Sequence, residues 1–125
     1  MSPVLHIDVP WLLQRHEEVL PDQPAINDFS VLIAAVARHR VDPPRLGVHA
    51  DPAWRAAALL HTLVLLKPLP SANARFACAT AVAYMSVSGA AVEPPPGALV
   101  DLARALMSGG TDVYGAAERL RSWQV

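Results

Sequence analysis

The stretch Lys67-Pro68-Leu69-Pro70-Ser71-Ala72-Asn73-Ala74-Arg75 constrains this chain more than any other, because it divides two long apolar runs, residues 54–66 and 76–87. Proline at 68 and at 70 removes backbone donors and ends a helical pattern. Small and polar residues then restart it. The pattern predicts a buried helix over 52–66, a tight loop, and a second buried helix over 72–88. The second helix starts at the loop, so its unpaired N–H groups around Ala72, Asn73, Ala74 and Arg75 can hold an anion, which the helix dipole favours. Arg75 adds a planar fork of donors suited to phosphate. Taken on spacing alone, residues 67–75 are a turn between two core helices.

The same residues resemble the active-site loop of the Fic/Doc (Fido-fold) family, which reads roughly His-x-Phe-x-Asp-Gly/Ala-Asn-x-Arg, and the similarity is greatest to its Doc toxin branch. Ala72, Asn73 and Arg75 match that motif, and Leu69 is a conservative change from Phe. Lys67 stands at the position of the family's catalytic His, and Ser71 at that of its acidic metal ligand. Cys78 falls where the longer Fic motif has a second Arg, which the Doc branch also lacks. An apolar helix before the loop and an Ala-rich helix ending at Gly89 agree as well.

The rest of the chain reads as helices in series. Asp8 caps a first helix with Pro10 in its first turn and Trp11, Leu12, Arg15, His16, Val19 and Leu20 at helical spacing. Pro21 and Pro24 end it. Asn27 or Asp28 caps a second, with Phe29, Leu32, Ile33, Val36 and Ala37 on one face. Residues 41–50 form a loop, marked by Asp42-Pro43-Pro44 and Gly47. Asp51-Pro52 starts the helix over 52–66, which is apolar almost all round. His61 within it reads as a core histidine holding a hydrogen bond. After Gly89 and Pro94-Pro95-Pro96 comes an amphipathic helix with Leu99, Leu102, Ala103 and Leu106, stopped by Gly109-Gly110. Thr111 or Asp112 starts a last helix with Val113, Ala116, Ala117, Leu120 and Trp123. Strand content is minimal, with at most a small strand or an extended arm over residues 1–8. The prediction is one all-α domain over residues 1–125, a bundle of about six helices with 52–66 and 72–88 at its centre.

Composition narrows the function classes. Hydrophobic residues make up 53% of the 125, ample for a core, and a formal net charge of −1 offers no broad basic field for nucleic acid. The single cysteine, Cys78, excludes an internal disulfide and fits a reducing cytosol. Its apolar helical setting points to an inert thiol. The start of the chain lacks a signal-peptide pattern, and no apolar stretch approaches the ~20 residues that cross a bilayer. The expected location is therefore the cytoplasm. None of the histidines pairs with another at metal-ligand spacing. Nine of the ten basic residues are Arg, and the one lysine, Lys67, falls at the family's catalytic position. With abundant Ala and Pro, that usage suggests a GC-rich genome, and the Doc resemblance implies a bacterial one.

The resemblance implies a function. Family members use ATP and Mg2+ to transfer AMP or, in the Doc branch, phosphate to a protein hydroxyl, and a translation elongation factor is the Doc branch's target. Residues Ser71, Ala72, Asn73, Ala74 and Arg75 would hold nucleotide or phosphate, with Lys67 in the catalytic place. Free lysine has a pKa of about 10.4 and is charged at pH 7; an efficient base would need that value to drop by about 3 pH units. Ser71 is a poor magnesium ligand beside a carboxylate. The expectation is a Doc-like toxin domain with weak, altered or lost transfer. The alternatives are an active transferase using Lys67 and a non-catalytic helical interaction module. Many Fic proteins carry an inhibitory Ser/Thr-x-x-x-Glu-Gly/Asn helix. Here Leu13, Gln14, Gly89 and Tyr114 stand four positions before Glu17, Glu18, Glu93 and Glu118, so none fits. The expected brake is a separate antitoxin of Phd type, seated in a groove lined by the early helices with Trp11, Leu12, Phe29 and Ile33. In the family a flap docks the target protein, and residues 41–50 are the candidate for it.

Overall fold

Four aspartates set where helices begin. In the computed structural model, which describes residues 4–125, Asp8, Asp28, Asp51 and Asp112 accept hydrogen bonds from the backbone N–H of Trp11, Ser30, Trp54 and Gly115 at 2.9–3.0 Å. Each satisfies a first-turn donor that the helix itself cannot. The helices that follow are α1 (Val9–Val19), α2 (Phe29–Arg40), α3 (Pro52–Leu66) and α6 (Val113–Ser122). Between α3 and α6 lie α4 (Asn73–Val87) and α5 (Ala98–Ser108), whose N-caps, Ala72 and Gly97, offer no side-chain bond. Gly109 ends α5 in the left-handed conformation. The fold is thus an all-α bundle of six helices, as the sequence predicts, with α4 one residue shorter at each end than the 72–88 expected. Among the described residues the only β-type pairing is an isolated bridge between Val92 and Gln124.

α3 is the axis. Eleven of its fifteen residues are buried, so it is packed on all sides except at its last two residues, Leu65 and Leu66. α4 lies against it, and Ala53, Ala56 and Ala57 of α3 and Ala77 and Ala81 of α4 are completely buried. Such small side chains let two helix axes approach closely. One core joins Ile7, Leu12 of α1, Leu32 of α2, Leu60 and Leu63 of α3, Phe76 and Met85 of α4, Leu102 of α5 and Leu120 of α6.

The contacts also give the helix directions. Asn27, before α2, donates its N–H to Pro68 O at 2.8 Å, while Arg55 near the start of α3 reaches His39 O at the end of α2 (2.7 Å). α2 and α3 are therefore antiparallel. His16 packs edge-on against Phe76, and Leu5 meets Tyr84, so α1 and α4 are antiparallel too. The bundle has two ends. One carries the 67–72 loop and segment 20–28. The other carries residues 4–8, the 41–51 segment and the end of α4.

At that second end the chain's extended lead is tied down. His39 Nε2 accepts the Ile7 N–H (3.1 Å), Arg40 donates from Nε and Nη2 to Ile7 O (3.2 and 3.0 Å), and the Tyr84 hydroxyl donates to Leu5 O (2.6 Å). Residues 4–8 form an extended arm rather than a strand. His61 is half-buried, not fully buried, and its Nδ1 accepts from Arg38 Nη1 at 2.6 Å. Cys78 is buried, its thiol is pushed up to about 11 by desolvation, and it points at Leu99 O. That is the setting of an unreactive thiol.

Candidate functional site

The loop between α3 and α4 is built by fixing three points. Lys67 ends α3 in the left-handed conformation (φ 48°, ψ 73°), with its N–H bonded to Leu63 O. Pro68 is buried, and its carbonyl takes the Asn27 N–H. Leu69 is 3% exposed and plugs the core. Asn73 then closes the loop on itself: its Oδ1 accepts the Leu69 N–H (3.0 Å) and its Nδ2 donates to Leu69 O (2.8 Å). The side chains of Lys67, Pro70, Ser71, Ala72 and Arg75 face water, and Asn73 and Ala74 are half-buried.

α4 starts from Ala72, which is itself left-handed (φ 60°, ψ 24°) and gives no side-chain cap. A left-handed L-residue other than glycine or asparagine costs roughly 1–2 kcal/mol. Among the described residues the non-glycine positions with positive φ are Gln23, Lys67 and Ala72. All three lie at this end of the bundle, in two segments that touch through Asn27 and Pro68. Strain of this kind collects where a site must be held open. Segment 20–28 is itself pinned to α1, because His16 Nε2 donates to Pro24 O at 2.8 Å.

The residues expected to act together are therefore on one loop, but not on equal terms. Among the described residues Arg75 and Lys67 make no ion pair, and both side chains are exposed on the loop that starts α4. Asn73 has both polar atoms of its amide bonded to Leu69, so in this conformation it holds the loop, and phosphate contact would fall to the backbone N–H groups of Asn73, Ala74 and Arg75. The loop lies on the surface; three cavities, of about 510, 320 and 380 Å³, are lined by none of residues 67–75. The oxygen donors of a magnesium site are poor here. Residues 67–75 contain no carboxylate, only the Ser71 hydroxyl and the Asn73 amide oxygen that already accepts the Leu69 N–H, and among the described residues no three His, Cys, Asp or Glu side chains converge. Magnesium does not fit this loop as a protein-held ion. An anionic phosphate does.

Two expectations about the surroundings change. Residues 41–50 enter α3 at its start, whereas residues 67–75 leave it at its end, about 22 Å away at 1.5 Å per residue. The 41–50 segment is held by Arg45 over the Tyr114 ring (3.7 Å) and Asp42 on Arg55 (3.1 Å), with Leu46 98% exposed at its tip. The segment beside the loop is 20–28. Its prolines mark a helix end in the sequence, and nothing local says which distant loop it will meet. Of the residues expected to line a partner groove, Leu12 is fully buried and Trp11 half-buried, whereas Phe29 (51%) and Ile33 (60%) are exposed. Leu65 and Leu66, at the end of α3, are exposed as well, where the apolar run over 52–66 predicts burial.

Compared with known proteins, the sequence matches no protein-family model and no curated protein at a significant level.

Proposed function

We propose that this chain is a Doc-like toxin domain of a bacterial, cytoplasmic toxin–antitoxin pair, similar to ATP-dependent transferases that modify a protein hydroxyl. Residues 67–75 are its nucleotide phosphate site. Transfer is weak, altered or lost, because Lys67 replaces the family's base and Ser71 its metal ligand. One observation carries the reading: α4 opens without a cap, behind a left-handed Ala72, between exposed Lys67 and Arg75. A helix start whose first N–H groups have no helical partner, on a loop that carries two exposed cations, supports an anion site. The partner is an antitoxin segment of Phd type. The exposed apolar side chains of Phe29 and Ile33 on α2, with Leu65 and Leu66 on α3, support such a docking face.

Calorimetry of ATP binding tests the site. Arg75→Ala should weaken ATP by more than tenfold while leaving the fold intact, and unchanged affinity overturns the anion-site reading. Label transfer from γ- and α-labelled ATP to a bacterial lysate then tests the chemistry. Lys67→His with Ser71→Asp should label more than the natural sequence, and each single change should do less, since base and metal ligand act in one step.

The bond pair between Asn73 and Leu69 favours a second reading, a helical interaction module with no catalysis. There the loop is simply a well-tied turn. ATP that does not bind, together with a stable complex formed through α2, is the outcome that selects it.

A further inference from the structure

The end of the bundle away from the 67–75 loop holds a cavity of about 510 Å³, between the start of α3, the end of α4 and the extended arm. That volume falls within the range of small-molecule sites. Val4, Leu5, Pro52 and Val87 give it apolar walls, and Arg55 and Ser88 add polar groups. Arg55 is 3% exposed. Its Nη1 closes α2 by donating to His39 O and, at 3.4 Å, to Val41 O, and its Nη2 meets Asp42 Oδ1 at 3.1 Å. That carboxylate belongs to a side chain 85% exposed, so water shares it and it balances the buried cation poorly. Among the described residues Arg55 Nε and Ser88 Oγ are buried and meet no hydrogen-bond criterion, although the Ser88 hydroxyl lies near that of Tyr84. The local field is positive as well. Arg40 and Arg55 both push down the pKa of His6, after its desolvation, and Asp42 alone opposes them.

A buried cation without full compensation, orphaned donors and hydrocarbon walls select an anion with an apolar tail. We propose that this cavity binds a medium-chain carboxylate, with its head group at Arg55 and Ser88 and its tail against Val4, Leu5 and Val87. This site is independent of the phosphate site, about a helix length away.

Octanoate is the probe, titrated into the full chain and followed by amide NMR, with 1-octanol as the uncharged control. The expected result is saturable shifts at Ala50, Val87, Ser88 and Gly89 and none at Ala72–Arg75, with 1-octanol at least tenfold weaker. Val87→Trp, at an exposed wall position, should fill the cavity and abolish the shifts without unfolding the chain. Arg55→Lys keeps the charge but not the fork and should weaken octanoate at least tenfold; if that variant fails to fold, Val87→Trp and the alcohol decide alone. Octanoate that shifts nothing, that binds no better than 1-octanol, that ignores Val87→Trp, or that shifts Ala72–Arg75 instead overturns the proposal.

Discussion

The two ends of the α3–α4 pair differ in how they are held. At the start of α3, Asp51 caps the helix and also takes a two-pronged bond from Arg121 (2.7 and 2.9 Å), which keeps its carboxyl below the usual range against the opposing effect of burial. Around it, His39, Arg40, Arg55 and Tyr84 direct polar atoms at backbone groups of distant segments. At the start of α4 nothing caps the helix, two residues sit in a strained conformation, and the charged side chains point to water. One end uses its polar groups to fasten the chain. The other leaves the first N–H groups of α4 and the side chains of Lys67 and Arg75 facing solvent. The two ends of the same helices are therefore held by different means, by side-chain bonds between distant segments at one and by a strained loop that Asn73 ties to itself at the other.

The largest effect expected from this contrast is at Tyr84, which is 1% exposed. Tyr84→Ala should cost about 3–5 kcal/mol in urea unfolding, through lost packing and the lost bond to Leu5. Arg75→Ala at the other end should stay within about 0.5 kcal/mol. Comparable losses at the two positions would break the contrast.

The pH response sharpens it. His39 is wholly buried and its pKa is lowered to about 4, chiefly by desolvation, with Arg55, His6 and Arg40 adding to the effect and a hydrogen bond to Arg55 O opposing it. The folded chain then binds fewer protons at this site than the unfolded chain. The stability His39 contributes is complete above its ordinary pKa of about 6.5 and declines as pH falls toward 4, by on the order of 3 kcal/mol. Protonation puts a hydrogen on Nε2, where Ile7 N–H now donates, so the arm should loosen first. His39→Gln, which keeps an acceptor but does not titrate, should flatten the stability profile between pH 6.5 and 4. An equal slope in the variant would assign the loss elsewhere.

The sequence makes the helices easy to place and the loops hard, for a physical reason. Asp8, Asp51 and the pairs Asn27–Asp28 and Thr111–Asp112 announce helix starts because a cap acts within three residues. The apolar circumference of 52–66 announces burial because a helix without a polar face has to be enclosed. What Asn73 does is set by the path of the chain from Leu69, and which end of α3 a loop occupies is set by the antiparallel order of the helices. The composition of 41–50 carries neither. Arg55 stands inside the apolar run 54–66 with no local signal of a role, and only its partners at His39, Val41 and Asp42 reveal its work.

A smaller gain in stability discriminates at the open end. Ala72→Gly removes the Cβ from a left-handed position and should stabilise the chain by about 0.5–1 kcal/mol, after glycine's added freedom in the unfolded state is counted. ATP affinity should hold or fall slightly. A destabilised Ala72→Gly variant would mean that the strain is not where the backbone puts it.

The tie between Tyr84 and Leu5 spans 79 residues, and those from Ile7 to His39 and Arg40 span 32 and 33. Contacts so distant in sequence reward the chain only after the intervening helices have packed. Docking of the arm is therefore a late folding event, and α3 against α4, joined by six residues, is the natural place for early structure. In hydrogen exchange, the Ile7 amide becomes a reporter of the last step: it should open before the α3 amides do, and earlier still in acid.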